Sequence, residues 1–228
     1  MLLPLLVIAL AVLVFAPSLW VRFIFARYGK DKQSIPGTGG ELARHLVKRF
    51  ELAGVSVEET GDGKDHFDPA GPAVRLGPRN FHGKSLTAVA VAAHEIGHAI
   101  QFHRKEEIFR LRSRYLPLAL TLGQAGVSLL WAIPILGLIV RSPVLIGTMI
   151  GFSVVLQVAG ALAYLVILPE EWDASFNKAL PILVEGEYIA EKEVPAVRRI
   201  LKAAALTYFA SALANVLNIW RWFMVLRR

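Results

Sequence analysis

The sequence contains no cysteine among its 228 residues. Disulfide bonds, thiolate metal sites and cysteine nucleophiles are therefore excluded, and any catalytic or metal-binding chemistry must rest on other side chains. The sequence also lacks a cluster of basic and aromatic residues of the kind that marks a nucleic-acid-binding surface. We therefore expect no nucleic-acid partner, although the net charge is +7.

Charged residues are scarce: they make up 19% of the chain, whereas 55% of it is hydrophobic. Three runs contain no charged residue, and each is long enough to cross about 30 Å of hydrocarbon as a helix. These runs are Leu2–Val21 (20 residues), Tyr115–Val140 (26 residues) and Val144–Leu168 (25 residues). A fourth uncharged run, Ala203–Trp220, has 18 residues and could cross or pack against the other helices. The sequence predicts a polytopic membrane protein with three or four transmembrane helices.

The distribution of basic residues predicts an orientation in the membrane. Sixteen of the 25 Lys and Arg residues lie between Arg22 and Arg114, whereas Arg141 is the one basic residue between the second and third runs. Because cytoplasmic segments carry the excess of basic residues, we expect residues 37–112 on the cytoplasmic side of the cell membrane. The first run is followed rather than preceded by basic residues, which disfavours a cleaved signal peptide.

Residues 94–98, His-Glu-Ile-Gly-His, follow the pattern H-E-x-x-H. On an α-helix, residues four apart lie on one face, so His94 and His98 can present two imidazole nitrogens to one Zn²⁺. Glu95 projects about 100° away, towards a metal-bound water. The Ala-rich, proline-free segment Leu86–Ile100 predicts the helix that this pattern needs. The sequence thus predicts two metal ligands and a general base.

A small α+β portion is predicted before this helix. Residues 37–54 carry an amphipathic helical stripe that ends at Gly54, while Val55–Glu58 and Ala73–Leu76 resemble short strands with turns between them. Ser85 is the expected N-cap of the active helix. In many zinc peptidases an edge strand beside that helix binds the substrate backbone, and Ala73–Leu76 could be such a strand or a structural one.

A catalytic zinc generally has three protein ligands and one water, so the chain must supply another ligand. The extended pattern H-E-x-x-H-x-x-G-x-x-H is excluded, because Gln101 and Arg104 stand where it requires Gly and His. A downstream carboxylate is the other common solution. Glu170, Glu171 and Asp173 follow two predicted crossings, which return the chain to the membrane face of the active helix. Only one of them need face the metal, and this reasoning leaves the choice open.

Glu171-Trp172-Asp173-Ala174 resembles the E-x-x-A element that carries the third zinc ligand in glutamate-zincins of the membrane HtpX and CAAX-processing type. Over nearly its full length, the chain is similar to the YugP-like neutral zinc metallopeptidases of bacterial membranes. The segments that carry this second resemblance are His66–Pro69, Val74–Leu76, Ala93–Gln101, Leu168–Ser175 and Lys202–Tyr208.

This resemblance implies that His94, His98 and Glu171 bind Zn²⁺ and that Glu95 is the general base. Glu170 remains the alternative third ligand. Residues near the site could also orient an imidazole ring or stabilise an oxyanion. The candidates for this supporting role are Asp173, Ser175 and His66.

The expected fold is mainly α: a single membrane-embedded domain with a small cytoplasmic α+β insertion that carries a zincin-type active helix. The expected function is a zinc-dependent endopeptidase that cleaves membrane or membrane-proximal proteins, with the lipid bilayer and a protein or peptide substrate as partners. One alternative is a protease with its zinc inside the bilayer, and another is a non-catalytic membrane adaptor with a structural zinc. The predicted parts are a transmembrane helix (1–22), a catalytic part (37–112), a transmembrane hairpin (115–168), a third-ligand segment and loop (169–202), and a transmembrane or membrane-packed helix (203–222).

Overall fold

The computed structural model describes residues 2–140 and 142–216. The chain is mainly helical, as predicted, with one small sheet. Its elements, in chain order, are α1 (Leu2–Tyr28), α2 (Gly39–Arg49), β1 (Ser56–Glu59), β2 (His66–Asp68), β3 (Ala73–Leu76), α3 (Pro78–Phe81), α4 (Leu86–His103), α5 (Arg110–Val140), α6 (Pro143–Ala163), α7 (Leu168–Trp172), a π-helix (Asp173–Ala179), α8 (Leu180–Glu185), α9 (Val194–Ala205) and α10 (Thr207–Val216).

The chain divides into two compact units. The hairpin unit contains the described parts of Met1–Leu19, Leu111–Ile167 and Thr207–Arg228. The motif unit contains Trp20–Arg110 and Leu168–Leu206, and therefore both the H-E-x-x-H helix and the candidate third ligands.

Two helical stretches among the described residues are long and apolar enough to cross a membrane: Glu107–Leu136 and Pro143–Val166. In each, only 22% of the most apolar window is buried, and large side chains such as Ile135 (65% exposed) and Val144 (79% exposed) face outward. These stretches correspond to the predicted second and third crossings. Crossings by α1 and by residues 203–222 stay predictions.

The helix predicted at 203–222 is interrupted in the structure. Helix α9 continues to Ala205, and α10 begins at Thr207, after a turn at Leu206 whose N–H donates to the Lys202 carbonyl. The part of this prediction beyond Val216 lies outside the described residues.

The sheet of the motif unit has the strand order β1-β3-β2. Strand β3 pairs in parallel with β1 and antiparallel with β2. Ala73–Leu76 is therefore a strand, as predicted, but the edge position considered for it is wrong, because it has a neighbour on both sides. The edge strands are β1 and β2. Strand β2 (His66–Asp68) lies between the two predicted strands and was not predicted.

Helix α4 forms the core of the motif unit. Sixteen of its 18 residues, Leu86–Gln101, are buried, as expected of a helix surrounded by protein. The Ser85 hydroxyl accepts a hydrogen bond from the Ala88 N–H, which confirms the predicted N-cap. Helix α2 packs against α4 and ends at Arg49, five residues before the predicted stop at Gly54.

Residues 168–185 form one continuous helical run, which we call the glutamate run. It begins as α7, becomes a π-helix at Asp173 and returns to α-helical pitch as α8. The Leu180 N–H donates to the Ser175 carbonyl, the five-residue step that characterises a π-helix. The π-helical part of this run packs along α4. Such π-helical turns are often found at functional sites.

Candidate metal centre

Three buried side chains of the motif unit converge on one point. One carboxylate oxygen of Glu171, Oε2, lies 3.3 Å from Nε2 of His94 and 3.3 Å from Nε2 of His98. One ligand atom from each of the three residues lies within 4.8 Å of the others. Among residues 2–140 and 142–216, this is the one group of three or more His, Asp or Glu side chains arranged closely enough to hold a metal ion.

The spacing of these atoms fits a zinc site. Ligand atoms about 2.0–2.1 Å from a tetrahedrally coordinated zinc are about 3.3 Å from each other. The two distances from the Glu171 oxygen match this value. Two imidazoles and one carboxylate are also a donor set found in catalytic zinc sites, where the fourth position is left for water or substrate.

Ser175 holds the ring of His94 from its far edge. Its Oγ lies 3.0 Å from Nδ1 of His94 and 3.2 Å from the Leu201 carbonyl oxygen. The carbonyl can only accept, so the single hydroxyl proton is directed to Leu201 and Ser175 accepts from the Nδ1–H group. Nε2 of His94 then carries its lone pair towards Glu171. This is the tautomer that binding through Nε2 requires.

Gln101 plays the same part for His98. The side-chain oxygen Oε1 of Gln101 lies 2.9 Å from Nδ1 of His98. The amide nitrogen of Gln101 donates to the Glu170 carbonyl at 3.0 Å and to Oδ2 of Asp173 at 2.9 Å. Because both of these partners are acceptors, the amide orientation is defined, and His98 donates from Nδ1 to the oxygen. The spacing of Gln101, three residues after His98 on one helix, was a sequence signal for this contact.

The two adjacent glutamates lie at opposite edges of the His98 ring. Glu171 is next to Nε2, whereas the nearest carboxylate oxygen of Glu170 is 3.6 Å from Nδ1. Their relative exposures are 2% and 0%, so both carboxylates are withdrawn from water. The structure therefore brings Glu171, rather than Glu170, to the point that both imidazoles share.

Glu95 follows His94 on the same buried helix and is 6% exposed. It lies about 100° around the helix from His94, so it is adjacent to the ligand face without being part of it. Together with Glu170 and Glu171 it makes three buried glutamates on the two elements that carry the candidate ligands. Concentrating carboxylates in this way favours a cation at the centre.

Asp173 contacts the centre through Gln101. Its carboxylate also accepts from Asn177 at 2.8 Å and from the Lys178 ammonium, which in turn lies 2.8 Å from Glu106. Burial raises the pKa of the Asp173 carboxyl, but the hydrogen bonds from Lys178, Gln101 and Asn177 outweigh it and leave the pKa below its ordinary value. Sequence reasoning missed Lys178, for which the sequence offers no signal beyond its charge.

His66 lies on the edge strand β2, outside the group of three. Its Nδ1 is 2.7 Å from the Lys64 carbonyl oxygen. The next residue, Phe67, is buried, and its ring centroid lies 5.4 Å from that of Phe102 on α4. Strand β2 is thus packed on the active helix, and the supporting role considered for His66 stays a prediction.

The chain is similar to known proteins over nearly its full length. Residues 3–227 match a family described as "Putative neutral zinc metallopeptidase". The chain is 34% identical over 215 residues to "Putative membrane protease YugP" of Bacillus subtilis (strain 168), an alignment that covers 91% of each protein. No solved structure matches the chain. The cofactor of this family is Zn²⁺, in agreement with the donor set at the candidate centre.

Proposed function

The chain belongs to this family of zinc metallopeptidases, and from that premise we propose that it is a zinc-dependent endopeptidase of the membrane that cleaves membrane or membrane-proximal proteins. The observation that carries the proposal is the meeting of Nε2 of His94 and Nε2 of His98 with the Glu171 carboxylate. Glu95 directly follows His94 on the same buried helix. A site built for structure alone needs no buried carboxylate in the position of a general base.

Under this proposal His94, His98 and Glu171 hold the metal. Zn²⁺ bound there would supply a water of lowered pKa and polarise the scissile carbonyl. Glu95 accepts a proton from the attacking water and passes it to the leaving amine, which departs as a neutral group. The other residues around the site keep the imidazole rings oriented throughout, and their burial limits access of bulk water.

The choice of Glu171 over Glu170 is supported by geometry. An oxygen of the carboxylate ligand must lie close to the Nε2 atoms of both histidines, and Oε2 of Glu171 lies 3.3 Å from each. Glu170 lies beside Nδ1 of His98, which already donates to Gln101. A nitrogen that donates its proton to an amide oxygen cannot bind metal at the same time.

The membrane assignment is supported by the outward apolar faces of α5 and α6. Trp131, Leu138 and Val144 are among their large exposed apolar side chains, and lipid would remove such surface from water. The relative from Bacillus subtilis is described as a membrane protease. Together with the distribution of basic residues, these observations support a multi-pass protein with α1 as a further crossing and the active site on the cytoplasmic side.

The proposal is tested by comparing the wild-type protein with Glu95→Gln, purified in mild detergent. Bound zinc is measured by elemental analysis, and cleavage is measured on casein and on membrane-protein substrates. We expect about one zinc per chain in both proteins and cleavage by the wild type alone, because the substitution removes the base and keeps the ligands. Glu58→Gln, a change of the same kind at an exposed position of β1, should leave cleavage unchanged.

Two outcomes would overturn the proposal. Zinc in both proteins without any cleavage that depends on Glu95 would favour the non-catalytic adaptor with a structural zinc. Purification of the wild-type protein without zinc, and without zinc uptake on titration, would contradict the zinc site itself.

A further inference from the structure

The side chain of Gln101, a neutral residue beside the candidate centre, makes three hydrogen bonds. It lies on α4, three residues after His98, and is fully buried at 0% exposure. All of its hydrogen-bonding groups point at partners: the oxygen faces Nδ1 of His98, and the two N–H groups face the Glu170 carbonyl and the Asp173 carboxylate. A buried amide satisfied on every side is held in one orientation.

These three bonds connect the two elements that carry the proposed ligands. One bond is made within α4, to the ring of a ligand, and two are made to the glutamate run, on either side of Glu171. The position of Gln101 therefore sets both the direction of the His98 ring and the distance between α4 and α7. Loss of this side chain would loosen two of the three proposed ligands together.

Asp173, which accepts a hydrogen bond from Gln101, also forms an ion pair with Lys178. The side chain of Lys178 is 11% exposed, and its ammonium also lies 2.8 Å from Oε2 of Glu106. Lys178 and Gln101 both donate to the same carboxylate oxygen, Oδ2, so the Asp173 group that faces Gln101 is an acceptor. The amide of Gln101 can then turn only its oxygen towards His98.

We propose that Gln101 is a positioning residue for zinc binding, which holds His98 as its Nδ1–H tautomer and fixes the glutamate run against α4. This inference rests on the proposed zinc site. It adds a neutral amide to the residues that prepare the site, where histidine ligands of metals more often donate to a carboxylate or a backbone carbonyl. A neutral acceptor orients the ring without adding a further charge beside the buried glutamates.

The test is to replace Gln101 in the full-length protein and to measure zinc affinity by competition with a chromophoric chelator. Gln101→Met keeps the size of the side chain and removes every hydrogen bond. We expect its zinc dissociation constant to rise about 10- to 100-fold, the usual effect of removing a partner of a ligand. Gln101→Glu retains an acceptor for His98 but loses both donors to the glutamate run and faces the Asp173 carboxylate, so it should keep the Nδ1–H tautomer of His98 without restoring wild-type zinc affinity.

Gln157→Met is the matched control. Gln157 is also buried, at 5% exposure, and is hydrogen-bonded to Ser153 in the hairpin unit. Its replacement removes a buried glutamine hydrogen bond without touching the motif unit. We expect this variant to unfold at a somewhat lower temperature and to bind zinc as the wild type does.

A second readout separates positioning from a general loss of structure. Nitrogen NMR of the zinc-free protein with labelled histidine reports which ring nitrogen carries the proton. In the wild type we expect His98 to be protonated at Nδ1, and in Gln101→Met to populate the other tautomer. His94, held by Ser175, should keep its signal in both proteins and shows that the site remains folded.

The outcomes are distinguishable from those of the proposed function, because neither readout depends on peptidase activity. Weaker zinc binding with an altered His98 tautomer supports the inference even if no substrate is cleaved. Unchanged zinc affinity in Gln101→Met would overturn it. Equal losses of zinc affinity in Gln101→Met and Gln157→Met would overturn it as well, since the effect would then follow general destabilisation.

Discussion

Helix α4 and the glutamate run supply ligands to the same candidate centre, but they do so by different rules. In α4, His94 and His98 are four residues apart on a regular helix, and their shared face follows from the sequence. The glutamate run changes pitch after Trp172, next to Glu171. Glu171 and Ser175 from this run contact the two opposite edges of the His94 ring.

This difference separates what each element contributes. Helix α4 presents two imidazole rings whose metal-binding nitrogens already face the same way. The glutamate run completes the group with one carboxylate. It also supplies Ser175, which contacts the His94 ring, and Asp173, which contacts Gln101. Glu171, Asp173 and Ser175 all contact side chains of α4. The π-helical pitch differs from that of an α-helix and changes which residues of the run face α4.

The largest expected effect comes from removing the single ligand that the glutamate run supplies. Glu171→Gln replaces an anionic ligand by a neutral amide at the point shared by both Nε2 atoms. We expect the zinc dissociation constant to rise by more than about 100-fold, beyond the effect of losing an outer partner. Zinc content after dialysis against a chelator is the measurement.

Glu170→Gln is the comparison for this variant, because Glu170 is equally buried and adjacent in sequence. It should retain zinc under conditions in which Glu171→Gln has lost it. Retention of zinc by Glu171→Gln together with loss by Glu170→Gln would assign the third ligand to Glu170 and contradict the proposed role of Glu171.

The next effect concerns the contact between the two elements at Gly97. A Cβ at this position would lie 2.6 Å from the Ala174 carbonyl oxygen in the π-helix, a distance that real Cβ atoms do not adopt. Gly97→Ala should therefore push the glutamate run away from α4, lower the stability by about 1–3 kcal/mol and weaken zinc binding by about 100-fold or less. Thermal unfolding in detergent and chelator competition are the measurements.

Gly151→Ala in α6 is the control, because a Cβ there would meet no atom within 4 Å. It should change neither zinc affinity nor the unfolding temperature by more than a small amount. If Gly97→Ala behaves like this control, the close approach of the two elements is not needed for the site.

A smaller effect is expected at Ser175, which holds one ring without binding metal. Ser175→Ala removes the acceptor for Nδ1 of His94 and should raise the zinc dissociation constant by about tenfold. Ser153→Ala is matched to it, since the Ser153 hydroxyl is also buried and donates to a carbonyl, that of Gly126. An equal change of zinc affinity in both variants would show that Ser175 acts through stability and not through His94.

The parts of the site on α4 could be predicted from the sequence, because each depends on local rules. The N-cap at Ser85, the helix from Leu86 and the common face of the two histidines follow from capping preference and helical spacing. The helix continues to His103, three residues beyond the predicted end at Ile100. Helix ends are less well determined by local sequence than helix interiors are.

The glutamate run was only partly predictable. Its position after two apolar helices followed from hydropathy, and the choice of Glu171 followed from resemblance to a family. No residue pattern in Asp173–Ala179 marks the five-residue hydrogen-bond step of a π-helix, and the close approach of the Ala174 carbonyl to Gly97 joins residues far apart in sequence. Strand β2 was missed for another reason: with three residues, it is too short to show an alternating pattern.

The most direct test of the central claim is an anomalous difference map recorded at the zinc absorption edge from crystals of the full-length protein. The account predicts a peak about 2.0–2.2 Å from Nε2 of His94, Nε2 of His98 and a carboxylate oxygen of Glu171. A peak next to Glu170 and Nδ1 of His98, or a zinc held by other residues, would contradict the assembly of this site from α4 and the glutamate run.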